Sequence, residues 1–384
     1  MANTLTNLLP DLYEAMDVVS RELVGMIPAV SRDSNSERAA VGQTVRSFVA
    51  PAATAADITP GQLPANNGDQ TFTNKSIAIT KQRYCPIRWN GEQQMGVDSG
   101  VGYSNVRAAQ MAQAFRTLTN EVETDLAALY AKASRAVSPA GTTLFDAANY
   151  KDIANARKLI VDNGCPLHDM HVILNTLSGA ALRGNAQYAG ADTAGREDIL
   201  RQGVLLDVHG MAIRESAQIA EHAAGNGASA TTNSAGYAVG ATVLTLASAG
   251  TGAILAGDVI TLNGDTNKYV VASGDADVSG GGTITLAEPG LKQAIAASTS
   301  AITVVDMPQR NMVFSRNAIH LATRAPALPE EGDMAIDREL IVDPRSGLAF
   351  EVSIYPEYRR VRYEAAIVWG VEVIKPEHLG LLID

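Results

Sequence analysis

Cys165, His168 and His171 stand at three-residue intervals with Asp169 between them, and a thiolate with two imidazoles is a sound donor set for zinc or copper. Their local context works against it. Pro166 follows the cysteine and a strand-like run begins at His171, so alternation sends these side chains to different sides. Ordinary packing is the better account, and a metal-dependent enzyme built on Cys165, His168 and His171 stands as the alternative from another functional class. Asp275 and Asp277 could offer oxygens to calcium, but the further carboxylates of a calcium loop are missing and turn chemistry accounts for both. Arg359, Arg360 and Arg362 beside Tyr358 and Tyr363 have the composition of a nucleic-acid stripe. In a strand they divide between two faces, with Glu357 and Glu364 as cross-strand partners, so ion pairs between subunits are the expectation. The sequence contains no nucleophile elbow, phosphate loop, dinucleotide fingerprint or zinc-protease helix motif. No catalytic, cofactor-binding or metal-binding residue is therefore assigned, and the chain is not expected to be an enzyme.

Charge narrows the partners. Asp and Glu outnumber Lys and Arg by 41 to 30, a formal charge of -11, whereas a protein that grips phosphates shows a basic excess. A chain of 384 residues exceeds what one hydrophobic core serves, so two or three substructures are expected. No apolar run approaches the roughly 20 residues that cross a bilayer. Asp11, Glu14 and Asp17 break up the early leucines, so no secretory signal is expected, and two cysteines make no disulfide framework. A reducing cytosol suits that composition.

The elements that must position these residues follow from periodicity. Leu8, Leu9, Leu12, Met16, Val19, Leu23 and Ile27 form a helical stripe over residues 5–30, closed by Pro28. Two strand-like runs, 44–49 and 76–89, are separated by Pro51, Pro60, Gly61, Pro64 and Gly68, which reads as a projecting β arm. Met111, Phe115, Leu118, Val122, Leu126, Leu129 and Ala133 then recur at three- and four-residue steps, with Arg107, Arg116, Glu123, Asp125 and Lys132 on other faces. An uninterrupted helix over 104–136 would be about 45 to 50 Å long. From residue 149 the pattern is α/β: a helix ending at Asn163-Gly164, a strand at 171–174, a short helix 176–183 capped by Asn175, and strand-like character over 199–213. A strand is expected at 312–321, and a hairpin from 350–355 to 358–373 turning at Pro356-Glu357.

Between these parts lies a β-rich cassette, 237–305. Short period-two runs at 243–246, 259–262, 269–271, 283–286 and 302–305 alternate with Gly-Asp, Asn-Gly-Asp and Gly-rich turns. It reads as a small antiparallel barrel or sandwich, entered through an Ala-, Gly- and Ser-rich hinge at 223–234.

A projecting arm, a spine helix, an α/β unit and a terminal hairpin, in that order, resemble the major capsid proteins of tailed phages, the Hong Kong 97-type α+β fold. The similarity is greater to the coat protein family of the short-tailed Salmonella phage, which carries a β-barrel insertion domain. The local matches are 118–123 (LTNEVE), 173–175 (ILN), 311–314 (NMVF), 367–371 (IVWGV) and Pro376-Glu377, all colinear. The resemblance implies an N-terminal arm (1–40), an E-loop (41–95), a peripheral domain with the spine helix (96–148 and 325–368), an axial domain (149–222, 307–324 and 369–384) and an inserted barrel (223–306). It implies hexamers and pentamers closing into an icosahedral shell around double-stranded DNA, without sequence-specific DNA contacts and without a membrane. The implied partners are a separate scaffolding protein, a portal protein and a possible decoration protein, with assembly in the bacterial host cytoplasm and a place in the virion capsid. An encapsulin-like compartment shell shares the fold and is the nearer alternative.

Overall fold

The structure, a computed structural model, describes residues 23–49, 53, 55–61, 63, 69, 71, 73–98, 102–146, 151–185, 205, 207–343 and 346–384. The long apolar stripe folds as helix α2 (Tyr103–Ala127), preceded by the short α1 (Gly91–Asp98). It is shorter than expected, about 37 Å. The stripe continues through a 3₁₀ turn, Ala128–Lys132, after which the chain extends into strand β5 (Arg135–Val137). Pairing with strands distant in sequence takes these residues from the helix.

The buried face of α2, including Leu118, Val122 and Leu126, packs on a six-stranded sheet. Its order is β1 (Ser31–Ala39), β14 (Ile319–Pro326), β17 (Arg360–Val373), β16 (Ala349–Glu357) and β15 (Asp337–Val342), with β4 (Lys81–Asn90) also paired to β17. The 14-residue β17 is the hub. It meets β4 from Arg360↔Asn90 to Trp369↔Lys81, β16 over its first half and β14 over its last. Phe115 stacks on Phe350 with ring centroids 5.0 Å apart, and the Trp369 indole N–H donates to Asp125 Oδ2 at 2.8 Å, which ties the helix to the hub.

Glu123, assigned by periodicity to a polar face, is fully buried instead. Its carboxylate accepts the backbone N–H groups of Gly25 (2.7 Å), Met26 (2.6 Å) and Ile27 (3.0 Å). Burial pushes its pKa up, against the lowering effect of these bonds. The contact also corrects the N-terminal expectation. Residues 23–30 form an extended lead and a turn rather than the end of a helix, and the rest of that stripe lies outside the described residues. Gly25 is needed there because a Cβ would sit 2.6 Å from the Glu215 carbonyl oxygen.

The arm is the two-stranded ribbon β2 (Thr44–Val49) and β3 (Thr73–Ala78), paired from Thr44↔Ala78 to Val49↔Thr73. The run expected over 76–89 is thus two strands, broken at Ile79-Thr80, of which the second belongs to the six-stranded sheet.

A second sheet holds β5, β18 (Leu379–Leu382), β13 (Asn311–Ser315), β6 (Met170–Leu174) and β7 (Met211–Glu215), packed under α3 (Asp152–Val161) and α4 (Thr176–Gly184). Asn175 caps α4 as expected, its side chain accepting from Ser178 N–H at 2.8 Å. The apolar run 312–321 is not one strand. A 3₁₀ turn at Arg316–Ala318 carries the chain from β13 in this sheet to β14 in the other.

The cassette supplies β8 (Val243–Leu246), β9 (Val259–Leu262), β10 (Lys268–Ser273), β11 (Gly282–Leu286) and β12 (Ile302–Val305), paired antiparallel in the order β12-β9-β10-β11-β8. The segment expected to be a hinge closes this ribbon. Thr232 N–H donates to Ser300 O and Asn233 N–H to Thr245 O, both at 2.9 Å, while Ile302 N–H donates to Ala230 O at 2.8 Å. Residues 230–233 thus lie between β8 and β12 and complete a barrel around Leu244, Ile260, Tyr269, Val271 and Ile284. Lys268↔Ala136 and Tyr269↔Arg135 join it edge-on to β5, so the second sheet and the barrel are one ten-stranded system.

Replacing Glu123 by Ala is expected to strip three buried N–H groups of their acceptor and to cost about 3 kcal/mol. The check is urea unfolding, with the midpoint falling and the slope unchanged; an unmoved midpoint would remove the carboxylate from the account of stability.

Candidate assembly surfaces

The residues singled out by their chemistry do not converge. Cys165 is buried with its thiol 3.5 Å from the Pro166 carbonyl oxygen, and burial raises its pKa. His168 is exposed, whereas His171 is buried beneath Phe314. Burial, then the neighbouring Arg214 and Arg316, pushes His171 down to about 4. Two guanidinium groups beside that imidazole oppose any added cation. No group of three or more possible ligands forms among the described residues. Asp275 and Asp277 are spent on their own turns: Asp275 Oδ1 accepts from Asp277 N–H at 2.9 Å, and Asp277 Oδ1 from the Ser279 N–H and hydroxyl.

Arg362 has partners within the chain. Its Nε lies 3.0 Å from Glu364 and 3.6 Å from Glu357, and its guanidinium sits 5.0 Å from the centre of the Tyr355 ring. The hairpin turns two residues later than expected. Pro356 pairs with Val361 and Glu357 with Arg360, leaving Tyr358 and Arg359 as the turn, with Arg359 at φ 55.

Sequence reasoning missed a buried junction that orients the barrel. Asp258, fully buried at the start of the β9 region, accepts from His222 Nε2 at 2.7 Å and from the backbone N–H groups of Gly225 (3.0 Å) and Leu255 (2.6 Å). The other His222 nitrogen lies 2.9 Å from the Tyr130 hydroxyl, in the 3₁₀ turn that ends α2. Spine, connecting segment and barrel meet at these three side chains. Asp258 looked like a turn residue beside Gly257, and only tertiary pairing reveals its task.

What the fold leaves uncovered is more informative. The ribbon is anchored at its base, where Ile77 is buried against Ala322 and Ile374 and Lys75 pairs with Glu288 of the barrel region at 3.2 Å. Farther out, Ile58 is 89% and Leu63 96% exposed. At the far side of the six-stranded sheet β15 pairs, among the described residues, only with β16, so no described strand covers its second main-chain edge. Met334 (76%), Ile336 (71%), Leu340 and Val342 are exposed on and beside it. An open edge strand lined by apolar groups is a surface that soluble monomers avoid. No helix of the described residues is long and apolar enough to cross a membrane.

No family model and no curated protein matches the chain. Solved structures do. That of Mycobacterium phage Che8 is 15% identical and covers 99% of this chain and 98% of its own, with a TM-score of 0.50. The capsid of a native GTA particle is 11% identical over 99% and 95%, TM-score 0.49, and the capsid of Cyanophage P-SCSP1u 13% identical over 100% and 95%, TM-score 0.48. The end-to-end match to the first gives the architecture its name: an α+β fold of the Hong Kong 97 type.

The depressed His171 supplies a pH test. Unfolded, it takes up a proton near pH 6.5; folded, only near 4. Stability is therefore fully present above pH 6.5 and declines as pH falls toward 4, by at most about 3 kcal/mol. His171→Leu should flatten that acid-side decline in urea midpoints measured across the window; an unchanged decline would place its origin elsewhere.

Proposed function

We propose that the chain is the major capsid protein of a tailed bacteriophage, assembling as hexamers and pentamers into an icosahedral head around double-stranded DNA. The observation that carries this is a monomer with an exposed apolar arm and an open apolar edge strand, on a fold that matches a phage structure from end to end. Each arm lies over the six-stranded sheet of a neighbour, so that Ile58 and Leu63 of the arm and Leu340 and Val342 of the edge strand are covered on assembly. The parts then divide as the resemblance implies: N-terminal arm 1–40, E-loop 41–95, peripheral domain 96–148 and 325–368, axial domain 149–222, 307–324 and 369–384, and insertion 223–306. Such a protein is a structural component of the virion rather than an enzyme.

The insertion favours the short-tailed Salmonella phage type of coat protein over an encapsulin-like shell, since encapsulins generally lack it. A net charge of -11 suits an inner wall that does not hold DNA phosphates. Scaffolding, portal and decoration proteins are the partners this role calls for, in the host cytoplasm where heads are built. Shell stability then comes from many modest contacts repeated over the surface.

The test removes the arm tip. Joining Val49 to Thr73 by a short Gly-Asn turn keeps the ribbon register and deletes Ile58 and Leu63. Electron microscopy of the unaltered protein is expected to show closed shells, and of the shortened one none, with the melting temperature unchanged. Normal shells from the shortened protein would overturn the role given to the arm.

A further inference from the structure

One end of the six-stranded sheet carries charges of both signs that the described residues leave uncompensated. In the loop between β14 and β15, Gly332 N–H donates to Pro329 O at 3.1 Å, forming a turn with Glu330 and Glu331 exposed on it. This loop runs beside the end of β16: Ile336 N–H donates to Ile354 O at 2.8 Å and the Tyr355 hydroxyl to Asp333 Oδ2 at 3.0 Å. Immediately beyond, the β16–β17 turn presents Tyr358, 91% exposed, with Arg359 and Arg360. Other charges here are already matched, Asp333 and Glu351 with Arg338, and Glu357 and Glu364 with Arg362. Glu330, Glu331, Arg359 and Arg360 have no ion pair with any described residue.

We propose that the acidic turn of one copy docks on the basic turn of a second copy, with Met334 and Ile336 as the apolar floor between them. The inference rests on the capsid reading above and gives one of its contacts a chemistry and a direction. Each copy carries one acidic and one basic half, so copies related by rotation can pass the contact from one to the next and close it into a ring. An apolar centre rimmed by complementary charge is the anatomy of a specific interface. Single exposed ion pairs contribute little. Repeated around a ring they set which surfaces meet, because any other docking would bring like charges together.

The test uses the full chain with its charges exchanged. Glu330→Arg with Glu331→Arg, and separately Arg359→Glu with Arg360→Glu, are each expected to raise the concentration needed for shell assembly about tenfold at physiological ionic strength. Thermal unfolding of the unassembled subunit should not change. All four substitutions in one chain restore the complementarity with its direction inverted and should bring assembly back. Reversed variants that assemble like the unaltered protein, or a fourfold variant that stays as impaired as either pair, would overturn the contact. If the unaltered protein stays monomeric in every condition, the capsid reading itself falls.

Discussion

A carboxylate taken out of water must be met by donors, and Glu123 is met by three consecutive backbone N–H groups at Gly25, Met26 and Ile27. That single arrangement fixes where the chain enters the fold. It holds residues 25–27 against the C-terminal part of α2, and β1 follows to pair parallel with β14. Four residues along the helix, Ala127 is buried, and between them Asp125 holds both the Trp369 indole and the Lys81 ammonium. Helix, entering chain and the hub strand β17 are thus fastened within one and a half turns of α2. The burial cost, visible in the raised pKa of Glu123, is the cost of having a charged group organise a core.

The barrel is held by a second solution of the same kind. Its strand β10 shares a ladder with β5, which alone would let it swing about a two-residue hinge of paired backbone. Asp258 removes that freedom by gathering donors from the connecting segment and from the barrel while His222 reaches Tyr130 on the spine. Gly257 permits the approach. It holds φ +90, and a Cβ there would meet the Tyr130 ring at 2.7 Å. A side chain at that position would force the barrel off the spine.

What was legible in the sequence is what local chemistry decides. The five cassette strands were readable because period-two alternation and glycine turns act within a few residues, and the Asn175 cap because its bond spans three. The misreadings lie where distant partners decide. Residues 230–233 are small and polar, with little to mark them as strand, yet they close the barrel because β8 and β12 leave an edge open on either side. The spine stripe continues in sequence past Ala127, but β18 and β10 claim Arg135–Val137. The run 312–321 conceals its break because strands in both sheets are buried and apolar on either side of Arg316–Ala318. Proline misplaced the hairpin turn: Pro356 lacks a donor yet pairs within the ladder opposite Val361, while Arg359 takes up the left-handed turn without a residue type that announces it. No pattern of types distinguishes the buried Glu123 from the solvated carboxylates beside it.

The uncovered surfaces follow from the same topology. β17 is so long that three strands are needed to pair it, and the sheet built around it is correspondingly wide and open. The barrel escapes the edge problem by closing on itself, whereas the six-stranded sheet stays open at β15 among the described residues. Its last strand, β15, therefore ends in an unpaired ladder with apolar groups on and beside it, where a monomer under selection for solubility would place lysines, a proline or a covering loop. The ribbon β2–β3 has the converse property, since its tip has exposed apolar residues and no layer of its own to bury them. A body with an unfilled edge and a limb with unburied groups are complementary deficits. On the capsid reading proposed above, repeated association of copies relieves both at once.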